Sequence, residues 1–154
     1  MDLASRARRS RSRRVLPERE QSQEMLVRHF YISEIVAGVT DLDVQVILGV
    51  AQMVNRRLDL TGMLVQSEGH FAQVLEGRAE AVSALVARIR RDPRHREVRT
   101  LLEEPIQRRQ FTRWAMTLVR RDDMSEAMRL AHRQGCVDDL HARRLMQALV
   151  DRLP

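Results

Sequence analysis

The spacing of apolar residues along this chain changes period several times, and each change predicts a new element. Residues 25–33 alternate between the two sides of an extended chain, which predicts a β-strand. Thr40 and Asp43 have the spacing of a helix capping box. The apolar stripe that follows them repeats every three to four residues and predicts a helix over residues 41–57.

The second half of the pattern predicts a hairpin, another helix and two more strands. The segments TGMLVQ and HFAQVLE flank Gly69, which is typical of two strands joined by a tight turn. A helix is predicted over residues 78–91, and Pro93 would end it. The segments EVRTLLEE and FTRWAMTLV then read as two further strands.

The predicted order is β-α-β-β-α-β plus a fifth strand, which is the ferredoxin-like arrangement of an α+β protein. Two helices would cover one face of a mixed sheet and leave the other face bare. Residues 120–154 carry two short apolar stripes separated by Gly135, a helix-ending residue. We therefore expect a C-terminal helical cap on the second face.

The distribution of charge separates an N-terminal segment from the rest of the chain. Residues 1–24 hold seven arginines and four acidic residues, so they contribute +3 of the net charge of +6. This segment lacks apolar periodicity and is predicted to be a disordered basic tail, with a contact to nucleic acid or anionic lipid as the alternative. Residues 25–119 would form the folded domain.

The remaining compositional signals exclude several classes of protein. No apolar stretch approaches the roughly 18 residues that span a bilayer, and the charged N-terminus is unlike a secretory signal. The single cysteine, Cys136, excludes an intrachain disulfide and suits the cytoplasm. The five histidines are scattered without metal-ligand spacing, so no metal site is predicted.

One polar side chain stands out in the predicted sheet. Gln73 shares a strand face with Phe71 and Leu75, and a buried amide costs free energy unless it is hydrogen-bonded. Tyr31, the only tyrosine, lies on another predicted strand and can be one partner. A bound ligand can be another, whereas a Tyr–Gln pair in a ligand-free core is the alternative interpretation.

Five segments together resemble the BLUF domain, a blue-light sensor that binds FAD without a covalent bond. They are FYIS, NRRLDLTGML, GHFAQVLEG, RDPRHREV and RRQFTRWAM, between residue 25 and about residue 119. As in that family, Asn55 precedes the TG pair, and Gln73 precedes the LEG turn. The resemblance implies four photoactive residues, Tyr31, Gln73, Trp114 and Met116, with the last two on one face of the final strand.

The resemblance also implies a set of residues around the flavin. Isoleucines of the two helices would form walls for the ring, and arginines would hold the phosphates, although each could be a solvated surface residue. Asp92 could instead cap or pair locally. The implied cofactor-binding residues are Tyr31, Ile47, Asn55, Arg57, Gln73, Arg88, Ile89, Asp92, Arg94 and His95.

The implied mechanism is a reversible change of hydrogen bonds. Blue light excites the oxidised flavin, an electron and then a proton leave Tyr31 and return, and the amide of Gln73 rotates or tautomerises. The new bonds would shift Trp114 and Met116 between buried and exposed positions. His29 shares the parity of Tyr31, and it is interpreted as a satisfied histidine or as a pH-sensitive neighbour of the site.

The expected output is a protein contact. The 35 residues after position 119 are too few for a cyclase or phosphodiesterase, so the sequence predicts a stand-alone sensor that is not an enzyme. An unidentified downstream protein and self-association into a homo-oligomer are the expected partners, with the C-terminal helices as the interface. The alternatives are a flavin-free BLUF-like interaction module and a nucleic-acid-binding ferredoxin-like domain.

Overall fold

The computed structural model describes residues 25–113 and 115–151, and within them the chain has the predicted α+β architecture. The predicted basic tail, residues 1–24, lies outside the described residues. The strands are β1 (Leu26–Ile35), β2 (Thr61–Ser67), β3 (His70–Arg78), β4 (His95–Pro105) and β5 (Thr117–Arg120). The helices are α1 (Asp41–Arg57), α2 (Ala79–Ile89), α3 (Ser125–Gln134) and α4 (Asp139–Val150), with a short 3₁₀ turn at Asp122–Met124.

These strands form one mixed sheet in the order β4-β1-β3-β2-β5. All neighbouring pairs are antiparallel except β2 and β5, which are parallel. In the central pair, Tyr31 of β1 lies directly opposite Gln73 of β3. The register therefore places the two candidate photoactive side chains next to each other at the centre of the sheet.

The local signals in the sequence explain where the elements begin and end. Thr40 and Asp43 make both hydrogen bonds of the capping box, with the Thr40 amide 2.7 Å from the Asp43 carboxylate. Gly69 closes the β2–β3 hairpin at φ +77°, and Gly135 ends α3 at φ +74°, in the left-handed region that glycine tolerates best.

Each face of the sheet has its own apolar core. Phe30 and Ile32 belong to the core under α3 and α4, whereas Phe71 and Leu75 belong to the core under α1 and α2. The C-terminal helices thus cover the second face, as predicted. Phe30 is fully buried there and is not exposed to stack on bases, which argues against the nucleic-acid-binding alternative.

The last strand is shorter than predicted. The whole segment FTRWAMTLV reads as a strand, but β5 includes only its last three residues and Arg120. Side chains form hydrogen bonds with backbone groups that a longer strand would use in its ladder. Glu76 accepts from the amide of Phe111, and Asn55 and Gln52 donate to the carbonyls of residues 115 and 116. Met116 therefore precedes the strand, and Trp114 lies outside the described residues.

The carboxylate of Glu76 holds this segment to the sheet. Glu76 is fully buried, and its Oε1 accepts from Arg28 Nε at 2.8 Å. Its Oε2 accepts from the backbone amides of Gln110 and Phe111 at 2.8 and 3.0 Å. One carboxylate therefore links β1, β3 and the chain that leads to β5.

Among the described helices, none is long and apolar enough to cross a membrane.

Removal of this carboxylate should destabilise the fold. We expect Glu76→Gln to lower the free energy of unfolding by roughly 3 kcal/mol, because it leaves Arg28 and two backbone amides poorly paired inside the protein. Urea unfolding followed by circular dichroism measures the change. Glu126→Gln is the control, since it removes an exposed pair with Arg129 and should have no measurable effect. Equal stability of the two variants would contradict the assigned role.

Candidate functional site

A cavity of about 180 Å³ lies between α1 and α2, above the sheet face that carries Gln73. Its walls are mostly aliphatic, and its polar groups are confined to Gln73 on the floor and to a charged rim. The position agrees with the slot that the apolar stripes of the two helices predict. Its lining residues are Ile47, Val50, Ala51, Val54, Leu64, Gln73, Leu85, Arg88, Ile89, Asp92, Arg94 and His95.

The predicted Tyr31–Gln73 hydrogen bond is present below this cavity. The Tyr31 hydroxyl donates to Gln73 Oε1, and both side chains are buried. The amide nitrogen of Gln73 donates to the sulfur of Met116 at 3.5 Å. A thioether is a weak acceptor, and the amide nitrogen carries two hydrogens. Gln73 therefore retains capacity to donate to a stronger acceptor in the cavity.

Asn55 joins the end of α1 to the segment before β5. Its amide nitrogen donates to the carbonyl of Ala115 at 2.5 Å. Its Oδ1 atom is buried and has no partner among the described residues, although buried polar atoms are usually bonded. The amide thus presents an unmet hydrogen-bonding group within the interior, as expected of a side chain that binds a ligand.

The rim of the cavity is positively charged. A shallow depression of about 450 Å³ shares Arg88, Asp92 and Arg94 with the cavity and also includes Arg91. Arg94 binds Asp92 through Nη2 at 2.7 Å and Nε at 3.0 Å. Arg88 is exposed, and its guanidinium makes no hydrogen bond or ion pair within the described part of the chain. The rim thus has one engaged arginine and one that is free for an anion.

His95 closes the cavity next to β1. Its Nδ1 lies 3.0 Å from the Ser33 hydroxyl, and its ring is 5.2 Å from that of Phe71. Burial lowers the pKa of His95 from its ordinary value, although the Asp92 carboxylate acts in the opposite direction. The His95 ring is therefore neutral at pH 7. Its contact with Ser33 makes that serine a neighbour of the site, which the sequence did not indicate.

His29 lies outside this cavity, in a second one between α2 and the β1–β4 edge. Its ring nitrogens lie 3.0 Å from Glu103 Oε2 and 3.2 Å from Thr100 Oγ1. Burial lowers its pKa, whereas Glu103 raises it. These contacts favour the interpretation of His29 as a satisfied buried histidine.

The structure brings most of the predicted cofactor-binding residues together. Tyr31 lies below the cavity through its bond to Gln73. Asn55 follows the lining residue Val54 on α1 but does not itself line the cavity. Arg57 does not line it, because its exposed side chain lies beyond the last buried turn of α1. The seven predicted residues among its lining are Ile47, Gln73, Arg88, Ile89, Asp92, Arg94 and His95.

Several lining residues were not predicted. Val50, Ala51 and Val54 follow Ile47 at helical spacing, so extending the α1 stripe over the site would have found them. Gln52 also escaped notice, yet its amide donates to the Met116 carbonyl at 3.2 Å. No local signal marks that contact, because it joins two segments far apart in sequence.

Comparison with known proteins identifies the family. Residues 26–117 match the family described as BLUF, sensors of blue-light using FAD. The beta subunit of a photoactivated adenylate cyclase from Euglena gracilis is 39% identical over 88 residues, which is 56% of this chain. This chain covers only 10% of that relative.

Solved structures give the same result. The dark state of BlrB, a BLUF protein, is 29% identical with a TM-score of 0.66, over 82% of this chain and 98% of that one. The ground state of BlsA is 28% identical with a TM-score of 0.69, over 81% of this chain and 87% of that one. The chain belongs to the BLUF family of flavin-binding blue-light sensors.

The donor set of the cavity fits a flavin. A flavin ring presents apolar faces and an edge of nitrogen and carbonyl groups, and the cavity offers aliphatic walls together with the amide of Gln73, whose nitrogen bonds only a weak acceptor. Asn55 does not line the cavity, but its buried Oδ1 is unpaired among the described residues. The volume is below the roughly 300–1,000 Å³ of typical ligand pockets. A dinucleotide would therefore have to extend through the charged rim.

Tyr31 should stay protonated in the folded protein well above pH 10. Burial, helped by the Asp92 charge, raises the pKa of its phenol far above the ordinary value. Below pH 10 both states keep the proton; above it only the unfolded state loses it, so stability should fall as pH rises. Absorbance at 295 nm reports this group, since Tyr31 is the only tyrosine. A folded-state midpoint near 10, equal to that in urea, would contradict the prediction.

Proposed function

We propose that this chain is a blue-light photoreceptor that binds FAD in the α1–α2 cavity and signals through the Tyr31–Gln73 hydrogen bond. The observation that carries the proposal is the amide of Gln73, which lines a cavity with aliphatic walls and bonds only a weak thioether acceptor through its nitrogen. The unpaired Oδ1 of Asn55, which is buried near the end of α1, supports it. Membership of a flavin-binding family supplies the class of ligand. A cytoplasmic location is part of the proposal and rests on the lone Cys136.

Chain residues suited to each part of the cofactor can be named. Ile47 and Ile89 stand on opposite helices and would enclose the ring. Gln73 and Asn55 would bond its polar edge. Arg88 is suited to the phosphates, because a guanidinium bonds phosphate oxygens in pairs. Further candidates that remain proposals are Arg57, Asp92, Arg94 and His95.

The chemistry of the chain would centre on Tyr31 and Gln73. Bound flavin supplies the absorption of blue light and accepts an electron when excited. Tyr31 would give up an electron and its hydroxyl proton and then recover both. The Gln73 amide has a donor end and an acceptor end that rotation would exchange: its Oε1 accepts from the Tyr31 hydroxyl, and its nitrogen donates to the Met116 sulfur.

A continuous set of contacts leads from Gln73 to the C-terminal helices. Met116 directly precedes β5, which pairs with β2. At the end of β5, Arg121 donates to the carbonyls of Ala148 and Leu149 in α4, at 3.0 and 2.9 Å. A shift of Met116 would thus move the strand that holds α4. Trp114 belongs to the same segment and keeps its proposed photoactive role.

The cofactor proposal is tested by the spectrum and by two variants. Purified protein should be yellow and should release FAD on denaturation. Blue light should cause a small red shift of the flavin band that reverses in the dark. Tyr31→Phe and Gln73→Leu should each abolish the shift and retain the flavin, since neither residue belongs to the charged rim that would hold the phosphates.

The matched control is Gln66→Leu, the same chemical change at a buried position on β2 that does not line the cavity. It should keep the shift. A normal shift in Tyr31→Phe or Gln73→Leu would refute the assignment. A colourless protein that cannot take up FAD would support the flavin-free interaction module instead.

The C-terminal helices are the proposed site of light-dependent contact with a partner or a second copy. Leu130 of α3 and Leu140 of α4 are large apolar residues that remain exposed. Leu130→Ser with Leu140→Ser should weaken any light-dependent association seen by size-exclusion chromatography. Deletion of residues 1–22 should not, because contacts of a basic segment respond to salt rather than to light.

Leu58→Ser is the control for this experiment, since Leu58 is also exposed but follows α1. It should behave like the wild type. If the deletion removes the light response and the double leucine variant preserves it, the basic segment and not the helical surface carries the output.

A further inference from the structure

Three metal-binding side chains meet on the sheet face opposite the flavin cavity. Glu34 ends β1, His70 begins β3 directly opposite it, and His132 extends from α3 onto both. One ligand atom from each lies within 4.8 Å of the other two. Both histidines are more than nine-tenths buried, and their rings are 5.1 Å apart. The proposed photochemistry uses none of these groups.

The hydrogen bonds of His132 leave a lone pair facing the carboxylate. Its Nε2 lies 2.9 Å from the backbone carbonyl of Glu97, which can only accept, so Nε2 carries a hydrogen. In a neutral ring Nδ1 is then unprotonated, and it lies 3.9 Å from Glu34 Oε1. Two acceptors that face each other require a proton, a water molecule or a cation between them.

The bond from His132 to a carbonyl has the form that orients metal-binding histidines. Such residues usually donate their second ring N–H to a carbonyl or carboxylate, which fixes the tautomer. Here the carbonyl belongs to Glu97, whose φ of +50° is uncommon for a residue other than glycine. This strained residue lies where the β1–β4 register shifts, and the irregularity presents its carbonyl to His132.

His70 contributes an unsatisfied nitrogen. Its Nδ1 is buried and has no hydrogen-bond partner among the described residues. Burying such a nitrogen without a partner costs about 1–3 kcal/mol, which a bound ion would offset.

The neighbouring arginines and the separation of the three ligand atoms determine how a metal ion could bind. Arg96 binds Glu34 through Oε2 at 2.6 Å, which leaves Oε1 free, and Arg129 adds a further positive charge near His70. Zinc bonds of roughly 2.0–2.1 Å place tetrahedral ligand atoms about 3.4 Å apart. The side chains would therefore close by about 1 Å, and water would complete the coordination.

We propose that Glu34, His70 and His132 form a binding site for a divalent transition-metal ion, for which Zn²⁺ is the appropriate probe. Two imidazoles and one carboxylate are a ligand set that zinc accepts with a fourth position open. The ion would fasten α3 to the ends of β1 and β3. It would thereby stabilise the C-terminal cap on the face opposite the flavin cavity.

The sequence gives no indication of this site, and the expectation of no metal site rests on spacing alone. The ligands are separated by 36 and 62 residues and come from two strands and a helix. Only the β1–β3 register and the packing of α3 bring them together.

The test is a titration of the untagged, chelator-treated full chain with Zn²⁺ in the dark, followed by calorimetry. We expect one ion per chain and a rise in Tm of roughly 5–10 °C at a hundredfold excess over Kd. His70→Gln and His132→Gln should each weaken binding at least tenfold. The wild-type Tm shift tests the site even if a variant folds poorly.

His141→Gln is the matched control, because His141 is an exposed histidine at the start of α4. It should bind Zn²⁺ like the wild type. Absence of stoichiometric binding, or wild-type affinity in both His70→Gln and His132→Gln, would overturn the proposal and leave a proton or a water between the acceptors. Loss of affinity in His141→Gln equal to theirs would mean non-specific binding. None of these readouts depends on flavin.

Discussion

Helices cover both faces of the sheet, so every polar side chain that points from its central strands must find a partner inside the protein. An unbonded buried polar group costs about 1–3 kcal/mol, which is a large part of the stability of a small domain. Tyr31 and Gln73 meet this constraint by bonding to each other. Glu76 meets it by accepting from Arg28 and from two backbone amides. Among the described residues, three buried side chains meet it incompletely. Two of them, Asn55 and His70, are side chains for which we propose ligands, and the third is the hydroxyl of Ser67.

The same constraint determines how the site connects to the rest of the fold. On either side of Trp114, the described residues 110–113 and 115–116 are held by Glu76, Asn55 and Gln52 and not by a ladder of strand hydrogen bonds. Individual side-chain bonds can be exchanged one at a time, whereas a ladder would have to shift as a unit. In the proposed mechanism, a change at Gln73 would reach Met116 first, because the two side chains are in contact, and then β5. The irregular segment thus suits a switch better than the longer strand that its sequence predicts.

The sequence predicts those features that depend on short-range patterns. Alternation and helical spacing, with Thr40, Gly69 and Gly135 as boundary signals, give the order of elements and the placement of helices on both faces of the sheet. Strand parity predicts the Tyr31–Gln73 contact, because both strands are regular there. The start of β5 could not be predicted, since it depends on competition from Glu76, Asn55 and Gln52, which are distant in sequence. The Glu34–His70–His132 cluster was missed for the same reason.

The net charge of +6 indicates little about nucleic acid once the contacts of individual arginines are known. Half of it belongs to residues 1–24. Several of the others are occupied inside the fold: Arg28 by Glu76, Arg121 by α4, and Arg90 by the carbonyl of Val98 at 2.8 Å. At the rim of the cavity, a phosphate would have to compete with Asp92 for Arg94, whereas Arg88 is already free. Arg88 is therefore an arginine that can bind an anion without losing a side-chain partner, and it lines the cavity, where a phosphate-bearing cofactor would extend.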